Sequence, residues 1–334
     1  MGNSAYQQVY VWALFASCVM LLPTAKASAD IRELHAQLHL PDERIGYAEA
    51  KILVDSMIDP GIDTSNVLRE LDAWERAVRS NIPPHPTSRR ILAALLQTLY
   101  EPGPWNQERP FSYDLSDPLG RNQKNKQLAV YLESRKGNCV SMPILFVILG
   151  QRLGLGVALA TAPHHVLVKF TDDTGQTWLN VEATAGGFKA DSSYVRETGI
   201  SESAILGGTY LRPLTPREGV GVIAGSLMEH YAKNRRADEL MVVADMVLSV
   251  NPRDPVATVW KANAYYLQLQ ERYVRRYPSP GDIPEGQLAD YHRLSRENFA
   301  WFAKAEALGW RPETSDQEAT YLEKIIEQTE RKGD

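Results

Sequence analysis

Apolar residues recur at helical spacing through the first third of the chain. They repeat every three to four residues in segments 47–53, 67–74 and 91–100, and a proline-rich break separates the last two segments. Each segment therefore has one apolar face, which is the pattern of a helix packed on a core. The sequence predicts a helical region over residues 30–100, followed by a long polar loop over residues 101–120.

A run that is apolar on all sides, residues 144–149, predicts a buried helix. Pro143 lacks an N–H group and fits only in the first turn, so this helix begins near Val140 or Ser141 and ends near Gly154. Cys139 lies at its start, where unpaired N–H groups and the helix dipole favour a nucleophilic thiolate. The alternative is a small buried core residue, because free cysteine often packs in that way.

Period-two alternation follows the buried helix. Residues 157–160, 165–170 and 177–182 predict three strands, the last two joined as a hairpin. A turn at residues 173–174 places His165 opposite Glu182 and puts the valines on the other face. This register is favoured, because a slip by one residue would mix apolar and polar side chains on each face.

Directly opposed side chains have Cβ atoms about 5 Å apart, within reach of an imidazole–carboxylate hydrogen bond. His165 is therefore the candidate base for Cys139, and Glu182 is the acid that orients it. His164 points to the opposite face of an extended strand and ranks below His165. The alternative for the His165–Glu182 pair is an exposed cross-strand ion pair, which is common and weak.

Helical pairs dominate the chain after Pro213. Leu227, Tyr231, Leu248 and Pro252 fall at the spacing of a 34-residue tetratricopeptide (TPR) repeat, and a half-unit follows at residues 315–330. Two interpretations stay open. These helices form a concave surface that binds a protein or peptide partner, or they form a stabilising cap on the core.

The N-terminal residues 1–29 contain 14 nearly all-apolar positions, 9–22, and then small residues before Asp30. This run is too short to span a bilayer, which needs about 20 residues, so it predicts an export signal. The alternative is an uncleaved membrane anchor. Cys18 lies within the run, so its removal leaves Cys139 as the single thiol of an exported, periplasmic protein.

Composition narrows the function classes. The 334 residues are 44% hydrophobic and 23% charged, with a net charge of −5, so no basic surface for nucleic acid is expected. The sequence has no glycine-rich phosphate loop, and its seven histidines are scattered rather than spaced as metal ligands. We therefore expect no cofactor, no metal and no nucleic-acid partner.

The cysteine, the histidine and the acid within the Trp178-Leu179-Asn180-Val181-Glu182 segment resemble the transglutaminase-like fold, which is related in layout to papain-type peptidases. The segments 113–118, 132–138 and 152–155, with Gly186-Gly187 after the acid, are similar to its SirB-like branch, and the resemblance continues through residues 210–213 into a helical-repeat tail. Many SirB-like members have lost the cysteine, whereas this chain keeps Cys139. The usual acid of the family is aspartate, and here it is Glu182.

The sequence thus predicts an α+β protein with four segments: an export signal or anchor (1–29), a helical region (30–100), a transglutaminase-like core in which the cysteine helix packs on a small antiparallel sheet (101–212), and a TPR-like helical domain (213–334). We expect an exported cysteine hydrolase, a peptidase or amidase, that acts on an amide or acyl bond through Cys139, His165 and Glu182. Asn138 is a candidate accessory oxyanion donor. The alternative is an inert scaffold protein that uses the repeats.

Overall fold

The computed structural model describes residues 29–312, together with residues 319, 322 and 323. The predicted export signal or anchor, apart from residue 29, lies outside the described residues. The predicted half-repeat at 315–330 also lies outside them, apart from the three isolated positions.

The described chain is mostly helical and carries a four-stranded sheet and a short two-stranded one. Its helices are α1 (29–38), α2 (Tyr47–Ile58), α3 (Thr64–Ser80), α4 (Ser88–Tyr100), α5 (Leu128–Ser134), α6 (Ser141–Arg152), α7 (Asp191–Thr198), α8 (Glu202–Leu206), α9 (Pro216–Lys233), α10 (Ala237–Val250), α11 (Pro255–Leu269) and α12 (Glu285–Ala307). Its strands are β1 (Ser112–Tyr113), β2 (Lys136–Gly137), β3 (Gly156–Ala162), β4 (His165–Thr171), β5 (Trp178–Glu182) and β6 (Gly187–Phe188).

Helices α2, α3 and α4 confirm the predicted helical segments before residue 100. In α3 the buried stripe consists of Val67, Leu71, Trp74 and Val78, at the spacing of one helix face. Asp63 caps this helix by accepting a hydrogen bond from the Asn66 N–H group. The amphipathic pattern and the cap together account for the position of α3.

Helix α6 forms the centre of the molecule. Every residue from Ser141 to Gly150 is buried, as the all-apolar run predicted. The helix packs between α2–α5 and the sheet formed by β3–β6. The loop before Cys139 is fixed by a short parallel pair, in which β1 lies beside β2 and the Asp114 N–H donates to the Gly137 carbonyl.

The four-stranded sheet is antiparallel in the order β3-β4-β5-β6. The predicted hairpin register was wrong by two residues, because β4 and β5 pair Val168 with Val181 and Lys169 with Asn180. The Asp172 side chain accepts hydrogen bonds from Thr174, and Gly175 adopts a left-handed φ of 67°. The turn therefore occupies residues 172–177 rather than two positions.

Both faces of the sheet are covered. Val168, Phe170 and Val181 face the main core with α6, whereas Leu167 joins a smaller apolar cluster with Tyr194 of α7. A shift of two residues keeps each side chain on its predicted face, so the assignment of faces was correct although the register was not.

Helices α9–α12 pack on one another in chain order, and α9 also packs on α2 and β3. The linker before α9 continues the sheet edge, since the Leu211 and Leu214 N–H groups donate to the Thr161 and Leu159 carbonyls of β3. The main apolar cluster runs without interruption from α2 through α6 to α9–α11, across the predicted boundaries at 100/101 and 212/213. In the described part of the chain, no helix is long and apolar enough to cross a membrane.

Candidate active site

Cys139 lies two residues before the start of α6, and the side chain of Asn138 caps that helix start. The buried Asn138 Oδ1 accepts hydrogen bonds from the N–H groups of Val140 (2.9 Å) and Ser141 (3.0 Å), and its own N–H donates to Ser141 Oγ at 3.0 Å. This reciprocal arrangement fixes the helix start and keeps the partly exposed thiol of Cys139 at its mouth. The Cys139 N–H group has no acceptor among the described residues.

The side-chain amide of Asn138 also contacts the loop that precedes α5. Its Nδ2 donates to the Asn125 carbonyl at 3.4 Å, and Gly120 lies so close that a Cβ there would approach Nδ2 to 3.2 Å. Gly120 also has a left-handed φ of 59°, which favours glycine. Asn138 thus joins the start of α6 to the 114–125 loop through its side chain.

His165 and Glu182 form a buried ion pair. His165 Nε2 donates to Glu182 Oε2 at 2.9 Å, and their side chains are 11% and 6% exposed. The observed register makes the two residues diagonal neighbours rather than directly opposed, and the longer side chain of glutamate spans this separation. His165 Nδ1 is buried and makes no hydrogen bond within the described chain, so it is the ring nitrogen available to the neighbouring Cys139 thiol.

Electrostatics make this pair charged at neutral pH. Burial alone lowers the pKa of His165, but the Glu182 charge, the proximity of Cys139 and the hydrogen bond to Glu182 outweigh it and raise that pKa from 6.5 to about 10. Burial alone raises the pKa of Glu182, but the His165 charge and hydrogen bonds from His165, Thr184 and Tyr194 lower it to about 2. The imidazolium therefore lies beside the thiol across the neutral range.

Two residues that the sequence did not single out hold the Glu182 carboxylate. Thr184 Oγ1 donates to Oε1 at 2.6 Å, and Tyr194 Oη donates to Oε2 at 2.7 Å, the oxygen that also accepts from His165. Thr184 is two residues after the acid, where a hydroxyl commonly closes a local turn. Tyr194 lies on a separate helix and has no such signal in the sequence.

The His164 side chain points away from the Glu182 carboxylate, unlike that of His165. It has a left-handed φ of 56° and an exposed side chain, and its Nε2 lies 3.3 Å from the Arg311 carbonyl oxygen. Its own carbonyl oxygen is 3.9 Å from Cys139 Sγ. The backbone of His164 thus borders the thiol, while the His165 ring reaches Glu182.

The described residues contain no cluster of three or more histidine, cysteine, aspartate or glutamate side chains that could hold a metal ion.

Comparisons with known proteins place these residues in a family context. Residues 65–221 match the model of the transglutaminase-like superfamily. The UPF0162 proteins of Xylella fastidiosa strains Temecula1 and 9a5c are each 29% identical to this chain over 196 residues, which cover 53% of this chain and 66% of the relative. The match thus spans just under two thirds of the length of these curated relatives. No solved structure matches the chain. The comparisons therefore support a transglutaminase-like domain over residues 65–221, a range that includes Cys139, His165 and Glu182.

Proposed function

We propose that the chain is a cysteine hydrolase, a peptidase or amidase, that cleaves an amide or acyl bond through a covalent intermediate on Cys139. The observation that carries the proposal is the buried His165–Glu182 pair, 2.9 Å between Nε2 and Oε2, beside the thiol of Cys139, two residues before the start of α6. A structural cysteine gains nothing from an adjacent imidazolium, whereas a nucleophile gains a charge partner for its thiolate.

In the first step the Cys139 thiolate attacks the carbonyl carbon, an S–C bond forms, and the carbonyl π electrons move to oxygen. The Cys139 N–H group is the donor for this oxyanion, because the next two N–H groups are occupied by Asn138. The C–N bond then breaks as His165 Nδ1 gives its proton to the leaving amine, and a thioester remains.

In the second step neutral His165 takes a proton from water, whose oxygen attacks the thioester carbon. The S–C bond breaks, the acid leaves, and the thiolate–imidazolium pair forms again. Glu182 stays ionised in both steps and compensates the imidazolium charge. We favour hydrolysis over transfer to an amine because water is always present as an acceptor.

The first test uses p-nitrophenyl acetate. The wild-type protein is expected to release p-nitrophenolate and to carry an acetyl group on Cys139, detected by mass spectrometry, whereas Cys139→Ala is expected to do neither. A second test measures the rate of iodoacetamide alkylation of Cys139 at neutral pH. His165→Ala should slow it at least ten-fold, because the charge partner of the thiolate is lost.

The matched control is His164→Asn, since asparagine tolerates the left-handed φ of 56° and keeps the backbone carbonyl beside the thiol. This variant should alkylate at the wild-type rate. Equal rates for wild type and His165→Ala, or no acetylation of Cys139, would leave an inert fold as the better account.

We also propose that the protein is exported, on the sequence of residues 1–29. Mass spectrometry of protein isolated from its native host should give a mature N-terminus within a few residues of Asp30. Intact Met1 in the membrane fraction would instead support an anchor.

A further inference from the structure

The Glu182 carboxylate is surrounded by donors from three parts of the chain. Oε2 accepts from His165 Nε2 (2.9 Å) and Tyr194 Oη (2.7 Å), and Oε1 accepts from Thr184 Oγ1 (2.6 Å) and from the Thr184 N–H group (3.3 Å). The side chain is 6% exposed, so these contacts replace water almost completely. The direction of Oε2 is set by two donors, and one of them is Tyr194.

Helix α7 holds Tyr194 in this position. Asp191 Oδ1, one turn before Tyr194, accepts from Lys169 Nζ at 2.9 Å and from Asn180 Nδ2 at 2.7 Å. Lys169 lies on β4 and Asn180 lies on β5, so α7 is attached to the same two strands that carry His165 and Glu182. The buried charge of Lys169, whose side chain is 4% exposed, is explained by this attachment.

The ring of Tyr194 is also fixed. It is 1% exposed in a cluster with Ala160 and Leu167, and Lys189 Nζ lies 4.5 Å from the ring centroid. The ring centroid is 5.8 Å from that of His165, at an interplanar angle of 32°. A side chain held by packing on every side has little freedom, so its hydroxyl is a rigid donor to Glu182.

We propose that Tyr194 is a positioning residue, which aims the Glu182 carboxylate at His165 and thereby holds the imidazole against Cys139. The inference rests on the proposed function of Cys139, His165 and Glu182. It assigns the hydroxyl of Tyr194 a role through Glu182, without contact with a substrate. It also explains how a glutamate, with one more rotatable bond than the usual aspartate, keeps a single orientation.

The test is Tyr194→Phe, which keeps the ring and removes only the hydroxyl. Iodoacetamide alkylation of Cys139 at neutral pH should slow about ten-fold, the order expected for a lost hydrogen bond to a charged group. In a plot of the alkylation rate against pH, the fall in rate on the acid side should move to higher pH. The reason is that the Glu182 carboxylate, with one hydrogen-bond donor fewer, is protonated more easily. The titratable groups facing Glu182 are His165 of β4, Tyr194 of α7 and Tyr100 of α4, and only the second changes.

A double-mutant cycle separates positioning from packing. In a Glu182→Ala background, Tyr194→Phe should have little further effect on the alkylation rate, since the side chain that Tyr194 positions is already absent. The matched control is Tyr210→Phe, a buried tyrosine of the same apolar cluster that does not contact Glu182, and its rate should equal that of wild type.

The outcomes distinguish the inference from the proposed function. If His165→Ala slows alkylation but Tyr194→Phe has the wild-type rate and profile, the positioning role is wrong and the proposed function stands. If Tyr194→Phe slows alkylation by the same factor in both backgrounds, the hydroxyl acts through packing and the inference is again overturned. If His165→Ala has no effect, the proposed function itself fails.

Discussion

Glu182→Gln should change the charge state of His165 at neutral pH. Glutamine has nearly the size of glutamate, but it lacks the negative charge that opposes the effect of burial on the imidazole. The pKa of His165 stands at about 10, against an ordinary value of 6.5. The difference corresponds to ~5 kcal/mol of preference for the imidazolium in the folded protein. In the variant, burial dominates and the pKa should fall to 6.5 or below.

An NMR titration of the His165 ring protons, assigned with His165→Ala, measures this change. The matched control is Glu197→Gln, which removes a carboxylate of α7 that pairs with Lys189 rather than with His165. In the Glu197→Gln variant, the pKa of His165 should stay near 10. A His165 pKa near 10 in Glu182→Gln would contradict the reasoning and would make the Cys139 thiolate the dominant partner of the imidazolium.

The same pair predicts a dependence of stability on pH. Because the folded pKa of His165 is raised, its stabilisation is complete below 6.5 and is lost as the pH rises through about 10. Because the folded pKa of Glu182 is lowered, its stabilisation is present above 4.5 and is lost as the pH falls through about 2. The pair should therefore contribute most between 4.5 and 6.5. Urea unfolding should show a loss of several kcal/mol between pH 6.5 and 10 in wild type and little of that loss in Glu182→Gln.

Two further substitutions test the geometry of the site. Glu182→Asp should slow alkylation of Cys139 about ten-fold or more, because the shorter side chain no longer spans the diagonal to His165 while it contacts Tyr194; a wild-type rate would contradict the diagonal register. Asn138→Ala should cost about 1–2 kcal/mol in urea unfolding and should also slow alkylation, because it removes the cap that fixes the start of α6. Asp63→Ala, which removes the exposed cap of α3, is the matched control and should lower stability without changing the alkylation rate.

Those features of the fold that follow from local pattern were predictable. The all-apolar run and Pro143 predicted α6, which extends over Ser141–Arg152. The alternation in residues 165–182 predicted β4 and β5 and the face of each side chain. Both depend on neighbours in the sequence, which impose periods of 3.6 and 2 residues on the side chains.

Other features depend on contacts that the sequence pattern does not contain. The hairpin register shifted by two residues because the Asp172 side chain and Gly175 enlarged the turn. The parallel β1–β2 pair has two residues in each strand, too few to show a period. Tyr194 reaches Glu182 only through the attachment of α7 to the sheet, which joins residues far apart on different elements.

The C-terminal helices α9–α12 are joined to the core that carries the candidate active site, and this contact limits how their role can be tested. The linker that enters α9 is hydrogen-bonded to the outer edge of β3, and the partner strand β4 carries His165. In addition, Gly219 of α9 lies so close to Tyr47 of α2 that a Cβ at Gly219 would approach the tyrosine ring to 2.7 Å. Removal of residues 213–334 would expose an apolar face of the core and leave the edge of β3 without part of its hydrogen bonding, so loss of activity in a truncated chain would not separate recognition from stability. Exposed side chains of the C-terminal helices, Tyr266 on α11 and Phe299 on α12, are better sites for testing recognition of a partner. Their replacement by serine leaves the contacts between α9 and the sheet unchanged, so any loss of partner binding would come from the surface itself.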